Sequence, residues 1–224
     1  MGTKFYNIDE QRKWNKDSMW KDGGHEWSSN VGHDTDYIWN KYIFEHLREF
    51  RNDDILEIAP GYGRMTQYLS ILTSNLSVVD LNENCINKTK EKLGDFVENY
   101  YINDGLKLDM ISSNSMDLVF SYDSFVHMHE NVIESYIEEI ERVLKTGGYG
   151  FIHHSQYYSD ENLSFNNFGG RSNMNRELFK EMVEKNGMNI IKQFDIQFDP
   201  EGLWNGLDTI TIFKKYFKKR IINK

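Results

Sequence analysis

The chain has 224 residues and a formal net charge of −9, with 35 acidic side chains against 26 Lys and Arg. This length can bury the core of one α/β domain, and the acidic balance argues against a general electrostatic surface for nucleic acid. Cys85 is the only cysteine, which excludes a disulfide framework and a thiolate metal cluster. No apolar run reaches the roughly 18 residues of a spanning helix, and the first ten residues are too polar for a signal peptide. We therefore expect a cytoplasmic protein without membrane insertion.

We predict a single domain over residues 1–224, with an N-terminal lid or helical segment at 1–50 and the catalytic core at 51–224. The lid prediction depends on residues 21–33, which contain three glycines, two histidines and Trp27. Such a composition indicates a shaped loop that touches a ligand, and a plain surface turn is the alternative. Apolar residues at helical spacing predict a helix over residues 36–50.

The next stretch joins an apolar strand to a helix through a glycine turn. An apolar run that begins after Asp54 ends at the acidic Glu57, the turn contains Gly61 and Gly63, and a helix is predicted over residues 64–72. A dinucleotide fingerprint would place a third glycine at the position of Thr66. The acidic side chain and the missing glycine favour a cationic, amino-bearing ligand such as S-adenosylmethionine over a pyrophosphate.

The remaining elements alternate between strands and helices. Strands are predicted at residues 76–80, 99–102, 117–122, 149–152, 189–194 and 208–213. A helix capped by Asn82 ends near Leu93, a second has its apolar face over residues 133–144, and a third lies around residues 178–183 after a polar loop at 157–175. This order predicts an α/β fold with a three-layer, Rossmann-like, seven-stranded and mainly parallel sheet.

Polar side chains follow the ends of the predicted strands. Asp80 lies 19 residues beyond Gly61, about where such folds place a carboxylate on ribose hydroxyls. Residues 103–105 (Asn-Asp-Gly) follow the third strand, and Asp123 and His127 follow the fourth. Glu57 and His154 also fall at the ends of predicted strands. Because the carboxyl ends of parallel strands meet at one edge, we expect six side chains to line one crevice: Glu57, Asp80, Asp104, Asp123, His127 and His154.

His127 and His154 are the candidate bases, because an imidazole with a near-neutral pKa can remove a proton from an alcohol. A structural role is the alternative for each. His153 and His154 should face opposite sides of an extended strand, so only one of them can face the crevice. Asp123 has three candidate roles: it orients a histidine, binds acceptor hydroxyls, or caps the following turn.

A divalent metal is a further alternative, because four side chains could converge on one ion: Asp123, His127, His129 and His154. His127 and His129 share a face only if the chain between them is extended, and a predicted helix begins close by. We therefore assign no metal ligand.

Over residues 54–152 these motifs resemble class I S-adenosylmethionine-dependent methyltransferases. The resemblance implies that the loop at 57–63 holds the methionine moiety of the cofactor, that Asp80 binds the ribose and that Leu81 packs on the adenine. Residues 103–105 resemble the adenine-edge motif, and 144–148 resemble the Gly-Gly turn before strand five. Ala59 stands where the family usually has its first glycine. The predicted cofactor-binding residues are Glu57, Ala59, Gly61, Gly63, Asp80, Leu81, Asn103, Asp104, Gly105 and Ser121.

A narrower resemblance, to small bacterial methyltransferases linked to sugar and surface-polysaccharide modification, rests on residues 27–28, 121–127 and 150–155. It implies O-methylation of a small polar acceptor such as a sugar or a nucleotide- or phospho-sugar. N-methylation of an amino sugar or small amine, an NAD(P)-dependent oxidoreductase and a non-catalytic binding module remain alternatives, and a homodimer is left open. The predicted catalytic residues are Asp123, His127 and His154, and the predicted acceptor-binding residues are Trp27, Tyr122 and Arg171.

Overall fold

A seven-stranded sheet forms the centre of the protein, whose computed structural model describes residues 8–157, 170–198 and 205–217. The strands are β1 (Asp54–Ile58), β2 (Asn75–Asp80), β3 (Asn99–Ile102), β4 (Met116–Ser121), β5 (Leu144–Ser155), β6 (Met188–Asp195) and β7 (Asp208–Lys215). Their order is β3-β2-β1-β4-β5-β7-β6, and β7 is antiparallel to both of its neighbours while the other neighbouring pairs are parallel. The predicted seven-stranded, mainly parallel sheet is confirmed.

Helices cover both faces of this sheet. They are α1 (Ile8–Gln11), α2 (His25–Asn30), α3 (Thr35–Ile38), α4 (Glu45–Leu47), α5 (Thr66–Leu72), α6 (Glu83–Leu93), α7 (Glu130–Val143) and α8 (Arg176–Lys185). A π-helical segment, Trp39–Phe44, joins α3 to α4, so the helix predicted over 36–50 is present with an irregular middle. Helix α2 lies where a loop was predicted at 21–33, which corrects that prediction. Most of the predicted loop at 157–175, namely residues 158–169, lies outside the described residues.

Side chains alternate between the two faces of the sheet and build a core on each. On β4, Val119 packs with residues of α7 and α8, whereas Leu118 and Phe120 pack with residues of α3 to α6. All three are fully buried, and each such side chain contributes about 1.5–3 kcal/mol through apolar area removed from water. Strands buried on both faces are the reason that the fold has three layers.

The described part of the chain contains no helix with the length and apolar character that crossing a membrane requires.

Candidate active site

A cavity of about 450 Å³ opens at the carboxyl ends of β1 to β4. Its volume falls within the range of small-molecule sites, about 300–1,000 Å³. The wall comes from residues 59–61 after β1, 80–82 at the end of β2, Gly105 after β3 and 122–124 after β4. Eight further wall residues come from the N-terminal segment, which we define as residues 8–31. We call the part near β1 to β3 the cofactor end, and the part near residues 122–127 the acceptor end.

Asp80 forms the floor of the cofactor end. Its Oδ1 accepts the amide of Asn82 at 2.8 Å, and its Oδ2 accepts the amide of Gly61 at 3.4 Å. Burial raises the pKa of Asp80 to about 6, although the hydrogen bonds from Asn82 and Gly61 act in the opposite direction. Asp80 thus places a carboxylate on the cavity wall, where the resemblance implies a ribose-binding role.

Gly61 brings bare backbone to the same place. Its φ is +58°, and a Cβ on this residue would lie 2.3 Å from the ring of Trp20, so a side chain does not fit there. The loop therefore brings backbone without a side chain to the cavity, beside a buried carboxylate. That carboxylate, together with the cavity volume, fits a ligand that carries hydroxyl groups and a positive charge.

Five of the ten predicted cofactor-binding residues line the cavity: Ala59, Gly61, Asp80, Leu81 and Gly105. Four others lie behind its wall, where they shape the loops. Gly63 (φ +77°) lies against Thr89 of α6, so that its missing side chain permits that packing. Ser121 donates to the carbonyl of Ile58 at 2.8 Å and thereby ties β4 to β1.

The turn after β3 also has a supporting role for two predicted residues. Asn103 donates through Nδ2 to the hydroxyl of Tyr136 at 2.9 Å, and Tyr136 does line the cavity. The exposed Asp104 accepts the amides of Leu106 and Lys107, each at 2.8 Å. The structure thus uses Asp104 to close a turn, outside the cavity wall.

Glu57 differs from its prediction as a carboxylate that faces the cavity. Alternation along β1 turns its side chain towards the same face as Ile55, against α5, where it is 2% exposed and its Oε2 has no hydrogen-bond partner among the described residues. Burial, and secondarily the charge of Asp80, raises the pKa of Glu57 to about 8. The group beneath the glycine loop is therefore a protonated carboxyl at neutral pH.

Ala59 has a φ of +59°, a left-handed conformation that suits the glycine usual at this position. This conformation costs an L-residue about 1–2 kcal/mol, whereas glycine loses about 0.4–1 kcal/mol through the freedom of the unfolded chain. We expect Ala59→Gly to raise the free energy of unfolding by up to about 1 kcal/mol, as measured by urea denaturation. Ser70→Gly in α5 is the control and should lower it by about 0.5 kcal/mol. Marked destabilisation by Ala59→Gly would contradict the assignment of strain.

At the acceptor end, Asp123 forms an ion pair with Arg64. The Asp123 carboxylate accepts Nη2 of Arg64 at 2.7 Å, and Nη1 of Arg64 donates to Ser28 at 3.0 Å. Burial, the largest single cause, would raise the pKa of Asp123, but Arg64 together with the smaller contributions of His153, Arg171 and His127 outweighs it, and the pKa lies below its ordinary value. Asp123 is therefore ionised at neutral pH.

His127 lies beside this ion pair in the 3₁₀ turn Phe125–His127 and is half-buried. Its Nδ1 lies 3.0 Å from the carbonyl of Gly170, an arrangement that assigns the ring proton to Nδ1 and the lone pair to Nε2. Burial, with a contribution from the charge of Arg171, lowers the pKa of His127 to about 4. The imidazole is therefore neutral at physiological pH, which is the form that accepts a proton.

His154 is not brought to the cavity, which corrects its prediction as a base. Alternation along β5 places it on the α8 face, where it is fully buried and stacks on Phe179 with ring centroids 4.0 Å apart. Its Nε2 lies 2.8 Å from Oγ1 of Thr211. The neighbouring His153 faces the other side and stacks on Tyr122 at 4.4 Å. His153, and not His154, is therefore the histidine on the cavity side of β5.

The three predicted acceptor-binding residues all line the cavity: Trp27, Tyr122 and Arg171. Arg171 donates to Asp208 through Nε at 2.9 Å and Nη2 at 2.5 Å. Trp27 meets two further indoles of the wall edge-on, at 5.5 Å from Trp14 and 6.5 Å from Trp20.

The N-terminal segment is attached at both ends of the cavity. Nε2 of Gln11 donates to the carbonyl of His127 at 2.8 Å, and the carbonyl of Gln11 accepts Nδ2 of Asn82 at 3.3 Å. The side chain of Asn82 makes this contact and forms no capping hydrogen bond with α6, contrary to the prediction. Trp20 covers Gly61. The sequence did not identify Gln11, Trp14, Trp20 and Arg64 as wall residues.

Among the described residues, no group of three or more His, Cys, Asp and Glu side chains is arranged to hold a metal ion.

Comparisons with known proteins agree with this geometry. A family model described as a methyltransferase domain matches residues 56–152. The chain is 30% identical over 129 residues to phosphoethanolamine N-methyltransferase 1 of Zea mays. The aligned region covers 55% of this chain and 26% of that protein. A wheat (Triticum aestivum) enzyme of the same name is 29% identical over 115 residues, covering 50% and 23% respectively. The chain therefore spans about a quarter of the length of these curated relatives.

Solved structures share the fold. A S-adenosylmethionine-dependent methyltransferase of Leishmania major superposes with a TM-score of 0.70 at 14% identity, over 92% of this chain and 82% of that one. Phosphoethanolamine N-methyltransferase 2 of Haemonchus contortus was solved with phosphomonomethylethanolamine and S-adenosylhomocysteine. It superposes with a TM-score of 0.68 at 16% identity, over 92% of this chain and 60% of that one. At these identities the solved structures show a shared fold. Residues 56–152 therefore match a methyltransferase-domain family, and the described chain has the fold of class I S-adenosylmethionine-dependent methyltransferases.

Proposed function

We propose that this protein transfers a methyl group from S-adenosylmethionine to a hydroxyl of a small, neutral, polar acceptor such as a sugar. The observation that carries this proposal is the charge balance of the acceptor end. There, two arginines are already paired with two carboxylates, and the candidate base is a neutral imidazole.

The cofactor end supports the first half of the proposal. Asp80 would hold the ribose hydroxyls, Leu81 and Gly105 would border the adenine, and the Gly61 backbone would border the methionine moiety. S-adenosylmethionine, when bound, supplies a methyl group on a positively charged sulfonium. The ionised form of Asp80 complements that charge as well as the hydroxyls.

The pairing of charges supports a neutral acceptor. Arg64 and Arg171 are the two Lys or Arg residues in the described wall of the cavity. Arg64 lies 2.7 Å from Asp123, and Arg171 lies 2.5 Å from Asp208. A phosphate on the acceptor would have to compete with one of these carboxylates for its arginine, at the cost of a buried ion pair. A sugar hydroxyl requires no such exchange.

His127 is the group that we assign to proton removal. Its lone pair is at Nε2, while Nδ1–H donates to the carbonyl of Gly170 and fixes the ring. A pKa of about 4 keeps the imidazole in its accepting form but makes it a weak base, so the hydroxyl proton is transferred as the oxygen attacks and not before. Asp123, held ionised, would orient the acceptor hydroxyl.

N-methylation of a small amine is the second candidate function, favoured by two observations. Three indoles, Trp14, Trp20 and Trp27, line the cavity together with Asp123, and indole faces and a carboxylate attract an ammonium group. The curated relatives that the chain matches are phosphoethanolamine N-methyltransferases.

An acceptor panel separates the two functions. The purified protein is incubated with S-adenosylmethionine and, separately, with neutral sugars, nucleotide sugars, amino sugars, ethanolamine and phosphoethanolamine, and methylated products are detected by mass spectrometry. We expect methylation of neutral hydroxyl acceptors. Methylation confined to the amines would replace the O-methylation proposal with the second candidate. Cofactor binding without transfer to any member of the panel would favour a non-catalytic module.

Cofactor affinity should rise with pH through about 6. The pKa of Asp80 is raised to about 6, so the side chain is neutral below that pH and ionised above it. If the ionised form alone binds tightly, the association constant falls about tenfold per pH unit on the acid side. Calorimetric titration between about pH 5 and about pH 8 measures this, and a flat profile would argue against contact between Asp80 and the cofactor.

A further inference from the structure

Beneath the acceptor end lies a buried polar chain that the proposed chemistry does not use. Asp208, at the start of β7, is fully buried, and its carboxylate binds Arg171. Nε2 of His153, on the adjacent strand β5, lies 3.5 Å from Oδ2 of the same carboxylate. The two strands are antiparallel, with Ser155 opposite Asp208, so the sheet itself holds the histidine two residues along from its partner.

The other nitrogen of His153 reaches the candidate site. Its Nδ1 accepts the backbone amide of Asp123 at 3.0 Å. Because Nδ1 accepts, the proton of the neutral ring is on Nε2, the atom that faces Asp208. The ring also stacks on Tyr122, with centroids 4.4 Å apart. The stack on Tyr122 and the hydrogen bond from the Asp123 amide fix the ring. The contact of Nε2 with Asp208 at 3.5 Å is electrostatic, because its geometry is not that of a hydrogen bond.

Asp123 needs such support because its backbone is strained. Its φ is +61°, and a left-handed conformation costs a residue other than glycine of the order of 1–3 kcal/mol unless its surroundings impose it. Two contacts impose it here: the hydrogen bond from the Asp123 amide to Nδ1 of His153, and the ion pair between the Asp123 carboxylate and Arg64. Without the first, the backbone of Asp123 is free to relax and its carboxylate to leave the acceptor end.

We propose that His153, beside Asp208, is a positioning residue that holds Asp123 in its left-handed conformation and so places its carboxylate at the acceptor end. The proposal goes beyond the methyl transfer proposed above, and only its kinetic consequence rests on that function.

Two substitutions at one position separate the roles of the two ring nitrogens. In His153→Asn the side-chain amide occupies the place of Nδ1 and can still accept the Asp123 amide. In His153→Gln the amide occupies the place of Nε2 instead and leaves the Asp123 amide without its acceptor. His154→Gln is the control, because it removes a fully buried imidazole from the next residue on the opposite face of the sheet.

The first measurement is hydrogen exchange of the segment that contains the Asp123 amide, in the protein without added acceptor. His153→Gln should accelerate exchange of this segment about tenfold or more, the loss of one hydrogen bond, whereas His153→Asn should retain its protection. His154→Gln should lower the melting temperature without this local effect. Equal exchange in the two His153 variants, or acceleration equal to that of the control, would overturn the proposal.

The second measurement is the kinetics with whichever acceptor the panel identifies. His153→Gln should lower kcat/KM for the acceptor about tenfold, with the Kd for S-adenosylmethionine within about twofold of the wild type, and His153→Asn should restore most of the loss. A parallel loss of cofactor affinity would indicate general damage and contradict the positioning role. If the wild type methylates nothing, the proposed function fails while the exchange result still decides the role of His153.

Discussion

Replacement of Asp80 by Asn is expected to weaken S-adenosylmethionine binding by about one hundredfold. The carboxylate already accepts the amides of Gly61 and Asn82, and the substitution exchanges one accepting oxygen for an NH₂ group that faces those donors. It also removes the negative charge that complements the sulfonium. Hydrogen bonds to a charged group are worth about 1.5–3 kcal/mol each, so the loss of one bond between the carboxylate and a ribose hydroxyl, and the weakening of the other, give this magnitude. Isothermal calorimetry with the purified variant measures it.

The exposed Asp95, in the 3₁₀ turn after α6, provides the matched control. Asp95→Asn removes the same charge away from the cavity and should leave the Kd within about twofold. Asp80→Asn should also abolish the dependence of cofactor affinity on pH near 6, since the titrating group is gone. If Asp80→Asn bound the cofactor like the wild type, the assignment of the ribose site would have to be abandoned.

Replacement of His127 by Asn is expected to lower kcat by about 10²–10⁴, the usual contribution of a positioned general base. The asparagine amide can take the place of Nδ1 and keep the hydrogen bond to Gly170, so the turn is preserved while the atom that accepts the proton is removed. The Kd for S-adenosylmethionine should remain within a factor of about two. Single-turnover kinetics with an acceptor from the panel would measure the chemical step.

His129→Asn is the control for this variant. His129 lies two residues further on, at the N-cap of α7, where its side chain accepts the amide of Asn131, and asparagine is a good residue for that position. Its kcat should change by less than about twofold. A His127→Asn enzyme with undiminished turnover would exclude His127 as the base and would favour an amine acceptor, whose attack depends less on proton removal.

Much of the fold was predictable because its signals are local. Apolar runs of four to six residues that end at polar residues marked β1 to β4, and the amphipathic spacing of α7 marked a helix that covers them. Gly61, Asp80 and Asp123 were placed at the cavity by their positions at strand ends alone. Topology then brings them together, since parallel strands have their carboxyl ends at one edge.

The choice between His153 and His154 could not be made in the same way. Residues 150–155 are buried or nearly so on both faces of β5, and a strand in the middle of a three-layer sheet shows no alternation of polar and apolar residues. Neighbouring residues on a strand face opposite sides, but the sequence does not show which of the two histidines lies on the cavity side of β5. Glu57 illustrates the same limit on β1, where a lone acid among apolar residues reveals nothing about the face on which it lies.

Contacts between distant segments were also out of reach. Nη2 of Arg64 lies 2.7 Å from the carboxylate of Asp123, which is 59 residues further along the chain. Nε2 of Gln11 lies 2.8 Å from the carbonyl of His127, which is 116 residues further along. No local pattern encodes such pairs, because they depend on how the N-terminal segment and the loops settle on a finished sheet.

The attachment of the N-terminal segment through Gln11 has a kinetic consequence. This single residue bonds to His127 at the acceptor end and to Asn82 at the cofactor end, while Trp20 covers the glycine turn between them. Because these contacts join the N-terminal segment to both ends of the cavity, we expect the demethylated cofactor and the methylated acceptor to leave after one movement of this segment. A slow movement of the segment would then limit the rate at which both products are released, however fast the methyl transfer is.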